Sequence, residues 1–121
     1  MNIIIAGSRT FCTEAHYSLL IEKMDDLLRN VINVEPINIV SGAARGADQL
    51  GERYANARNF PVIRMPAQWD LYGKSAGYRR NADMAHIATH CVCFWDGRSR
   101  GTKHMIDIAT SKGLPTRVVL F

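Results

Sequence analysis

Short apolar runs alternate with amphipathic stretches along the whole chain. A short apolar run bounded by turn residues predicts a buried β-strand, and apolar positions three or four residues apart predict a helix. The predicted strands are Asn2–Ala6, Pro36–Val40, Pro61–Met65, His90–Trp95 and Pro115–Phe121. The predicted helices run from the N-cap Thr13 to about Asn30 and over Gly46–Arg58, Ala76–Ala88 and Gly101–Lys112. The stretch Pro66–Ser75 is predicted to be a long polar connection.

This alternation of strands and helices predicts an α/β fold. We expect a Rossmann-like three-layer sandwich in which a mostly parallel five-stranded sheet is covered by helices on both faces. A chain of 121 residues is long enough for one core and too short for two, so residues 1–121 are expected to form a single domain. With the strand order 3-2-1-4-5, a ligand would bind at the carboxyl ends of the strands, where the order reverses.

Three glycine-rich turns follow predicted strands and open helical stretches. They are Gly7–Thr10, Ser41–Asp48 and Asp96–Thr102, and each contains arginine. Such a turn exposes backbone N–H groups at a helix N-terminus, where the helix dipole also favours negative charge. One turn of this kind can equally be a structural cap. Three in one small chain predict a single pocket for a phosphate-bearing ligand.

The candidate ligand-binding residues lie in these turns and in the segment 69–81. Arg80 and Asn81 are expected on the first turn of the third helix, facing the cleft, and Trp69 either stacks on a base or is buried in the core. The candidate ligand-binding residues are Gly7, Ser8, Arg9, Ser41, Gly42, Gly46, Ala47, Asp48, Trp69, Lys74, Arg80, Asn81, Asp96, Gly97, Ser99, Gly101 and Thr102.

Charge and cysteine content narrow the choice of partners. The formal net charge is +4, and eight of the 15 basic residues lie in or beside glycine-bearing segments, which favours a local anion site over a general basic face. The three cysteines are interpreted as reduced thiols of a cytoplasmic protein. The histidines show no metal-ligand spacing with the cysteines, so no metal is expected. Neither a signal peptide nor a membrane span is predicted.

Four motifs carry a family resemblance. In chain order they are IAGSRTF, VSGAARGADQLGERYA, YGKSAGYRRNADM and FWDGRSRGTKHMIDIA. This set resembles the small cpYpsA-related (YspA-like) group of the SLOG superfamily, which is common in phage and bacterial genomes, and it spans Ile3 to Val119. The resemblance implies a Rossmann-like domain that binds a nucleotide-derived ligand, with NAD and ADP-ribose derivatives as the compounds considered. No further cofactor is expected.

The superfamily also includes the LOG phosphoribohydrolases, which cleave a nucleoside monophosphate into free base and ribose 5-phosphate. Their motifs are similar to Arg80–Met84 and to the segment 96–105. The resemblance implies that Arg80 corresponds to their active-site arginine and that Gly101 and Thr102 correspond to their phosphate-binding pair. Met105 stands at the position of the catalytic glutamate, so the main reason to assign this reaction is missing. The catalytic residues are therefore unknown, with Arg80, Asp96 and Asp48 as candidates.

The turn Ser41–Gly46 is also similar to one in the DNA-processing SMF group, whose members bind single-stranded DNA. Two classes of function follow from these resemblances. The first is a protein that binds a nucleotide-derived ligand as a sensor, a sequestering protein or a weak N-glycosidic hydrolase. The alternative is a module that binds single-stranded nucleic acid, which the mild net charge makes the weaker expectation. A homo-oligomer is compatible with either.

Overall fold

The computed structural model describes residues 1–31 and 34–121 and contains a five-stranded sheet. Its strands run in the order β3-β2-β1-β4-β5, and neighbouring strands are parallel throughout. The strands are β1 (Asn2–Gly7), β2 (Asn38–Ser41), β3 (Val62–Arg64), β4 (His90–Trp95) and β5 (Thr116–Leu120). This order confirms the predicted α/β, Rossmann-like sheet, in which the strand order reverses between β1 and β4.

The helices flank this sheet at close to their predicted positions. They are α1 (Glu14–Leu28), α2 (Ala47–Arg58), α3 (Trp69–Tyr72), α4 (Ala76–Ile87) and α5 (Arg100–Ser111). The predicted N-cap of α1 is confirmed, because the Thr13 hydroxyl accepts the His16 N–H at 3.0 Å, and His16 Nδ1 accepts the Thr13 N–H in return.

The segment Pro66–Ser75, predicted to be a long polar connection, joins β3 to α4 but has regular structure of its own. This segment contains α3 and a 3₁₀ turn over Gly73–Ser75. The N–H groups of Leu71 and Tyr72 both donate to the Gln68 carbonyl, at 3.1 and 3.0 Å, which closes a single helical turn. A four-residue helix has too few positions to show a hydrophobic period, so the sequence pattern gives no sign of it.

Successive residues of the central strands are buried on opposite faces of the sheet. Ile3 and Ile5 of β1 pack in a cluster with side chains of α1 and α2, whereas Ile4 and Ala6 pack in a second cluster with α4 and α5. Side chains of a strand point alternately to the two faces, so a strand covered on both sides is apolar at every position. These two clusters make the fold three layers thick and fix the ends of β1 and β4 beside each other.

Within residues 1–31 and 34–121, no helix is both long enough and apolar enough to cross a membrane.

Candidate functional site

A cleft of about 450 Å³ opens at the carboxyl ends of β1 and β4. Here it is called the main cleft. It lies where the strand order reverses, which is where parallel α/β sheets generally bind ligands. Its volume is within the usual range for small-molecule sites. The predicted residues that line it are Gly7, Ser8, Arg9, Asp48, Trp69, Lys74, Arg80, Asn81, Asp96, Ser99, Gly101 and Thr102.

The turn after β1 is packed tightly against β4. A side chain at Gly7 would collide with the Phe94 carbonyl and would lie 2.9 Å from Ala47 Cβ. The Ser8 N–H donates to that carbonyl at 2.9 Å, and the Ser8 hydroxyl accepts the Asp96 N–H at 3.2 Å. Ser8 is only 2% exposed, whereas Arg9 is exposed and lines the cleft. These contacts fix the backbone of Gly7 and Ser8 and thereby the position of Arg9 at the cleft.

The turn after β4 is held by its own acceptors. Asp96 Oδ1 accepts the N–H groups of Arg98 and Ser99, both at 2.8 Å, and these hydrogen bonds lower the pKa of the Asp96 carboxyl. The Ser99 hydroxyl caps α5 by accepting the Thr102 N–H at 3.4 Å and lies 3.0 Å from the Thr102 hydroxyl. Thr102, one of the expected phosphate ligands, thus already has partners within the protein.

Two N–H groups at the start of α5 remain available. The helix begins at Arg100, one residue earlier than predicted. The N–H groups of Arg100 and Gly101 donate to no acceptor within the part of the chain that the structure describes. Because Gly101 also lines the main cleft, the N-terminus of α5 offers these donors and the positive end of its dipole to a ligand there.

Arg80 connects three elements around the cleft. Its Nε donates to Asn81 Oδ1 at 3.0 Å, its Nη1 donates to the Gly42 carbonyl, and Asn81 Nδ2 donates to the Gly101 carbonyl at 3.2 Å. Burial lowers the pKa of the Arg80 guanidinium, and the nearby carboxylate of Asp48 opposes that effect. Helix α4 begins at Ala76 as predicted, but Arg80 and Asn81 are its fifth and sixth residues and so lie on its second turn, which makes the prediction of the first turn wrong.

Asp48 is a buried carboxyl on the wall of the main cleft. It is 6% exposed, and its Oδ2 accepts the Ala44 N–H at 3.1 Å. Burial raises its pKa to about 6, although the Ala44 N–H and the charge of Arg80 both act to lower it. A carboxyl with a pKa in this range changes its charge near neutral pH, which is a common property of groups in functional sites.

Five of the predicted ligand-binding residues do not line the main cleft: Ser41, Gly42, Gly46, Ala47 and Gly97. Four of them belong to the turn between β2 and α2. The Ser41 hydroxyl donates to Glu52 Oε2 at 2.6 Å and accepts the Ala43 N–H at 3.1 Å, and Ala47 is fully buried. The residues of this turn contact other parts of the protein and support the residues that line the cleft.

Gly46 illustrates this supporting position. Its φ of +85° belongs to the region that favours glycine. A Cβ there would lie 2.5 Å from the Ser8 carbonyl oxygen and 2.6 Å from Arg9 Cα. Glycine is therefore required at position 46, because the backbone of the turn after β1 leaves no room for a side chain there.

Aromatic side chains stand at the edge of the main cleft. Trp69 is 53% exposed, which makes the expectation of core burial wrong, and its ring lies over Gly77, where an added Cβ would be 3.4 Å away. Tyr78 is 46% exposed and packs against His104 with the ring centroids 4.4 Å apart. These rings give the cleft an aromatic edge opposite its charged interior.

The sequence analysis missed several residues of the cleft, of which Tyr78, Met84 and Met105 are the largest. Met105 is 1% exposed. The family resemblance marks it only as the residue at the position of the LOG glutamate, not as a residue that lines the cleft. Its position relative to Gly101 and Thr102, four and three residues earlier on the same helix, places all three on one face and was the available signal.

Comparison with known proteins identifies the family of this chain. Residues 1–72 match the family model described as the YspA, cpYpsA-related SLOG family. Because the match covers more than half of the chain, the protein belongs to this family. Membership suggests binding of a nucleotide-related ligand in general terms. The motifs in α4 and α5 lie beyond the matched residues, and their likeness to the LOG enzymes stays an interpretation.

One relative is the gene 61 protein of Mycobacterium phage D29. It is 37% identical to this chain over 83 residues, which correspond to 64% of this chain and 66% of the phage protein. The match therefore spans slightly less than two thirds of the relative's length.

Proposed function

We propose that the protein binds a nucleotide-derived ligand in the main cleft, as a sensor or a sequestering protein. One observation carries the proposal. Arg9, Arg80 and the unbonded N–H groups at the start of α5 converge on one cleft from three different elements. A phosphate fits such a set, because guanidinium groups and helix N-termini both stabilise oxyanions.

The charges of the cleft support an anionic ligand. Arg9, Lys74 and Arg80 line it together with the carboxyls of Asp48 and Asp96. With both carboxyls ionised, the cations exceed the anions by one, and protonation of Asp48 would increase that excess. The carboxyls also provide acceptors for ribose hydroxyls. The ring edge formed by Trp69 and Tyr78 suits a base.

A thermal-shift screen tests the proposal. The purified protein is heated with nucleoside monophosphates, ADP-ribose and cyclic dinucleotides, and a ligand present at a hundred times its Kd raises stability by about 2.7 kcal/mol. Arg80→Met should weaken the best ligand by about tenfold or more, because a charge-assisted hydrogen bond is lost. Arg98→Met makes the same charge change near the cleft without lining it, and should leave the affinity unchanged.

Binding without turnover is the form of the function that we propose. Cleavage of an N-glycosidic bond develops positive charge on the ribose, which an enzyme stabilises with a nearby carboxylate. Met105, which cannot supply that charge, stands where the LOG enzymes have their glutamate, and it lines the cleft.

We therefore expect almost no free base from AMP, with chromatography of the products as the measurement. Release on the order of one per second would assign the role to Asp48 or Asp96 instead. Met105→Glu restores the motif, and a gain in base release by this variant would show that the cleft already orients the substrate.

The salt dependence of binding affinity distinguishes the proposed function from the alternative, binding of single-stranded nucleic acid. A polyanion that contacts 6–10 basic groups loses about 10³–10⁵ in affinity between 50 and 200 mM salt. A mononucleotide held in the cleft carries few charges and should lose far less. Oligonucleotide binding with that steep dependence, together with no effect of mononucleotides on Tm, would overturn the proposal.

A further inference from the structure

A second cleft, of about 250 Å³, adjoins the main cleft. It is lined by the segment that follows β3, by α3 and by α4, and its polar lining residues include Gln68 and Asp83. Within the described part of the chain, Arg80 is the one residue that lines both clefts. The two clefts therefore share a single guanidinium as a common wall.

The guanidinium of Arg80 keeps donor capacity at this junction. Its Nε and Nη1 are bonded to Asn81 and Gly42, but Nη2 donates to no acceptor among the described residues. Arg80 also forms no ion pair among the described residues, because none of the ion pairs found there includes it. A guanidinium with a free N–H group between two clefts is suited to bind the anionic group of a ligand that extends into both.

The second cleft differs from the main cleft in its charges. Asp83 is exposed and has no hydrogen bond or ion pair among the described residues. Its carboxylate would repel a second phosphate, but it can accept hydrogen bonds from hydroxyl or amine groups. Gln68 adds an amide that both donates and accepts, and Met65 and Pro66 add an apolar wall.

The other cation of the second cleft is already engaged. The Arg79 guanidinium lies 4.4 Å above the centroid of the Tyr72 ring, and its Nε donates to the Ser75 hydroxyl at 3.1 Å. This stacking also keeps the Tyr72 side chain at the edge of the cleft. The positive charge of Arg79 and the negative charge of Asp83 offset each other in the second cleft, so that apart from the shared Arg80 it is suited to an uncharged group.

We infer that the second cleft is a subsite for an uncharged ring with hydroxyl or amine groups, joined through a phosphate at Arg80 to the nucleotide in the main cleft. This inference rests on the proposed function and extends it. The ligand class is a nucleotide with two ring-bearing parts joined by a phosphodiester or a pyrophosphate. A dinucleotide and a nucleoside diphosphate sugar both have this form.

Calorimetry with ligands that differ only in the second part tests the inference. AMP, ADP, ADP-ribose and diadenosine diphosphate are titrated, with the guanine series in parallel. ADP is the reference, because it carries the pyrophosphate without a second ring. We expect ADP-ribose or the dinucleoside diphosphate to bind about tenfold more tightly than ADP in the series that binds.

A matched pair of variants assigns the gain to the second cleft. Asp83→Ala should remove about tenfold of the affinity for the two-part ligand and leave the monophosphate within about twofold. Asp70→Ala makes the same charge change on α3, and Asp70 lines neither cleft. It should leave both affinities unchanged. Both aspartates are exposed, so neither variant is expected to unfold the protein.

Two results would overturn the inference, and they differ in what they say of the proposed function. If the monophosphate binds but the two-part ligands bind no more tightly than the diphosphate, the subsite is refuted and the proposed function stands. Equal losses for all ligands in Asp83→Ala would have the same meaning. If no nucleotide of either series binds, the proposed function fails and the inference fails with it.

Discussion

The turn between β2 and α2 and the turn between β4 and α5 look alike in sequence but contact different partners. The segments Ser41–Asp48 and Asp96–Thr102 each follow a strand, contain two glycines and at least one arginine, and lead into a helix. In the first, added side chains at Gly42 and Gly46 would meet protein atoms at 2.5 Å. In the second, side chains at Gly97 and Gly101 would meet nothing within 4 Å.

This difference separates two reasons for a glycine. Gly42 lies under the guanidinium of Arg80, and Gly46 lies under the backbone of Ser8 and Arg9, so the first turn is filled by the protein itself. The space beside Gly101, a residue that lines the main cleft, is open. A glycine of the first kind is needed for folding, whereas one of the second kind leaves room for a ligand.

The acidic residues of the two turns differ in the same way. Asp48 is buried, and its pKa is raised because burial disfavours the charged form. Asp96 is half-buried, and its pKa is lowered because backbone N–H groups donate to its carboxylate. One turn therefore resists a negative charge, and the other stabilises one.

Gly46→Ala should give the largest loss of stability. The variant adds a Cβ that meets three backbone atoms of Ser8 and Arg9 in the turn after β1, at a φ that disfavours any side chain. We expect a loss of about 4 kcal/mol, measured by urea denaturation. Gly97→Ala is the matched control, because Gly97 also has a positive φ, +81°, but has open space around it. Its loss should be about 1 kcal/mol. Equal losses would show that the turn after β1 shifts to make room for the added Cβ without a loss of stability.

Asp48→Asn should give a smaller effect that depends on pH. The folded state binds the proton of Asp48 more tightly than the unfolded state, with a pKa of about 6 against 3.8. The contribution of Asp48 to wild-type stability therefore falls as pH rises from about 4 through 6, by about 3 kcal/mol in all. The asparagine keeps an acceptor for Ala44 and has no charge to bury. It should match the wild type near pH 4 and exceed it by that amount at pH 8.

Asp96→Asn sharpens this test, because the sign is opposite. The folded-state pKa of Asp96 is lowered, so its carboxylate contributes stability above its unfolded pKa and loses it on acidification. The asparagine variant should be less stable than the wild type at pH 7, and the gap should close at low pH. A pair of variants that shift in the same direction with pH would refute the contrast between the two turns.

The sheet could be predicted from the sequence because few topologies connect parallel strands through helices. Short right-handed crossovers and apolar runs together lead to the order that the structure has. The first and third glycine turns could be placed at the cleft for the same reason. Of the turn after β2, which was expected there as well, Ala44 and Asp48 line the cleft, whereas Gly46 packs against Ser8 and Arg9 through a contact between residues far apart in the chain.

The edge of the site was harder to predict. α3 is a single turn held by hydrogen bonds to the carbonyls of Gln68 and Trp69, and the sequence gives no sign that Tyr78 lines the cleft. A tyrosine on a helix carries no sign of whether it faces a core or a cleft until the neighbouring elements are placed. The proton affinity of Asp48 likewise follows from burial, which a sequence does not show.

Gly101→Val should change stability least and ligand binding most, which makes it the direct test of the second kind of glycine. Apart from the adjoining backbone of α5, nothing lies within 4 Å of the added Cβ, and valine and glycine differ by only about 0.5 kcal/mol in a helix, so urea denaturation should barely change. The branched side chain would stand beside the unbonded N–H groups of α5, and calorimetry should show nucleotide affinity falling by about tenfold or more. Asp107→Val places the same side chain at an exposed position further along the helix, outside the cleft, and should bind as the wild type does. Unchanged affinity in Gly101→Val would mean that the phosphate is not held at the start of α5, and that the open space beside this glycine is solvent only.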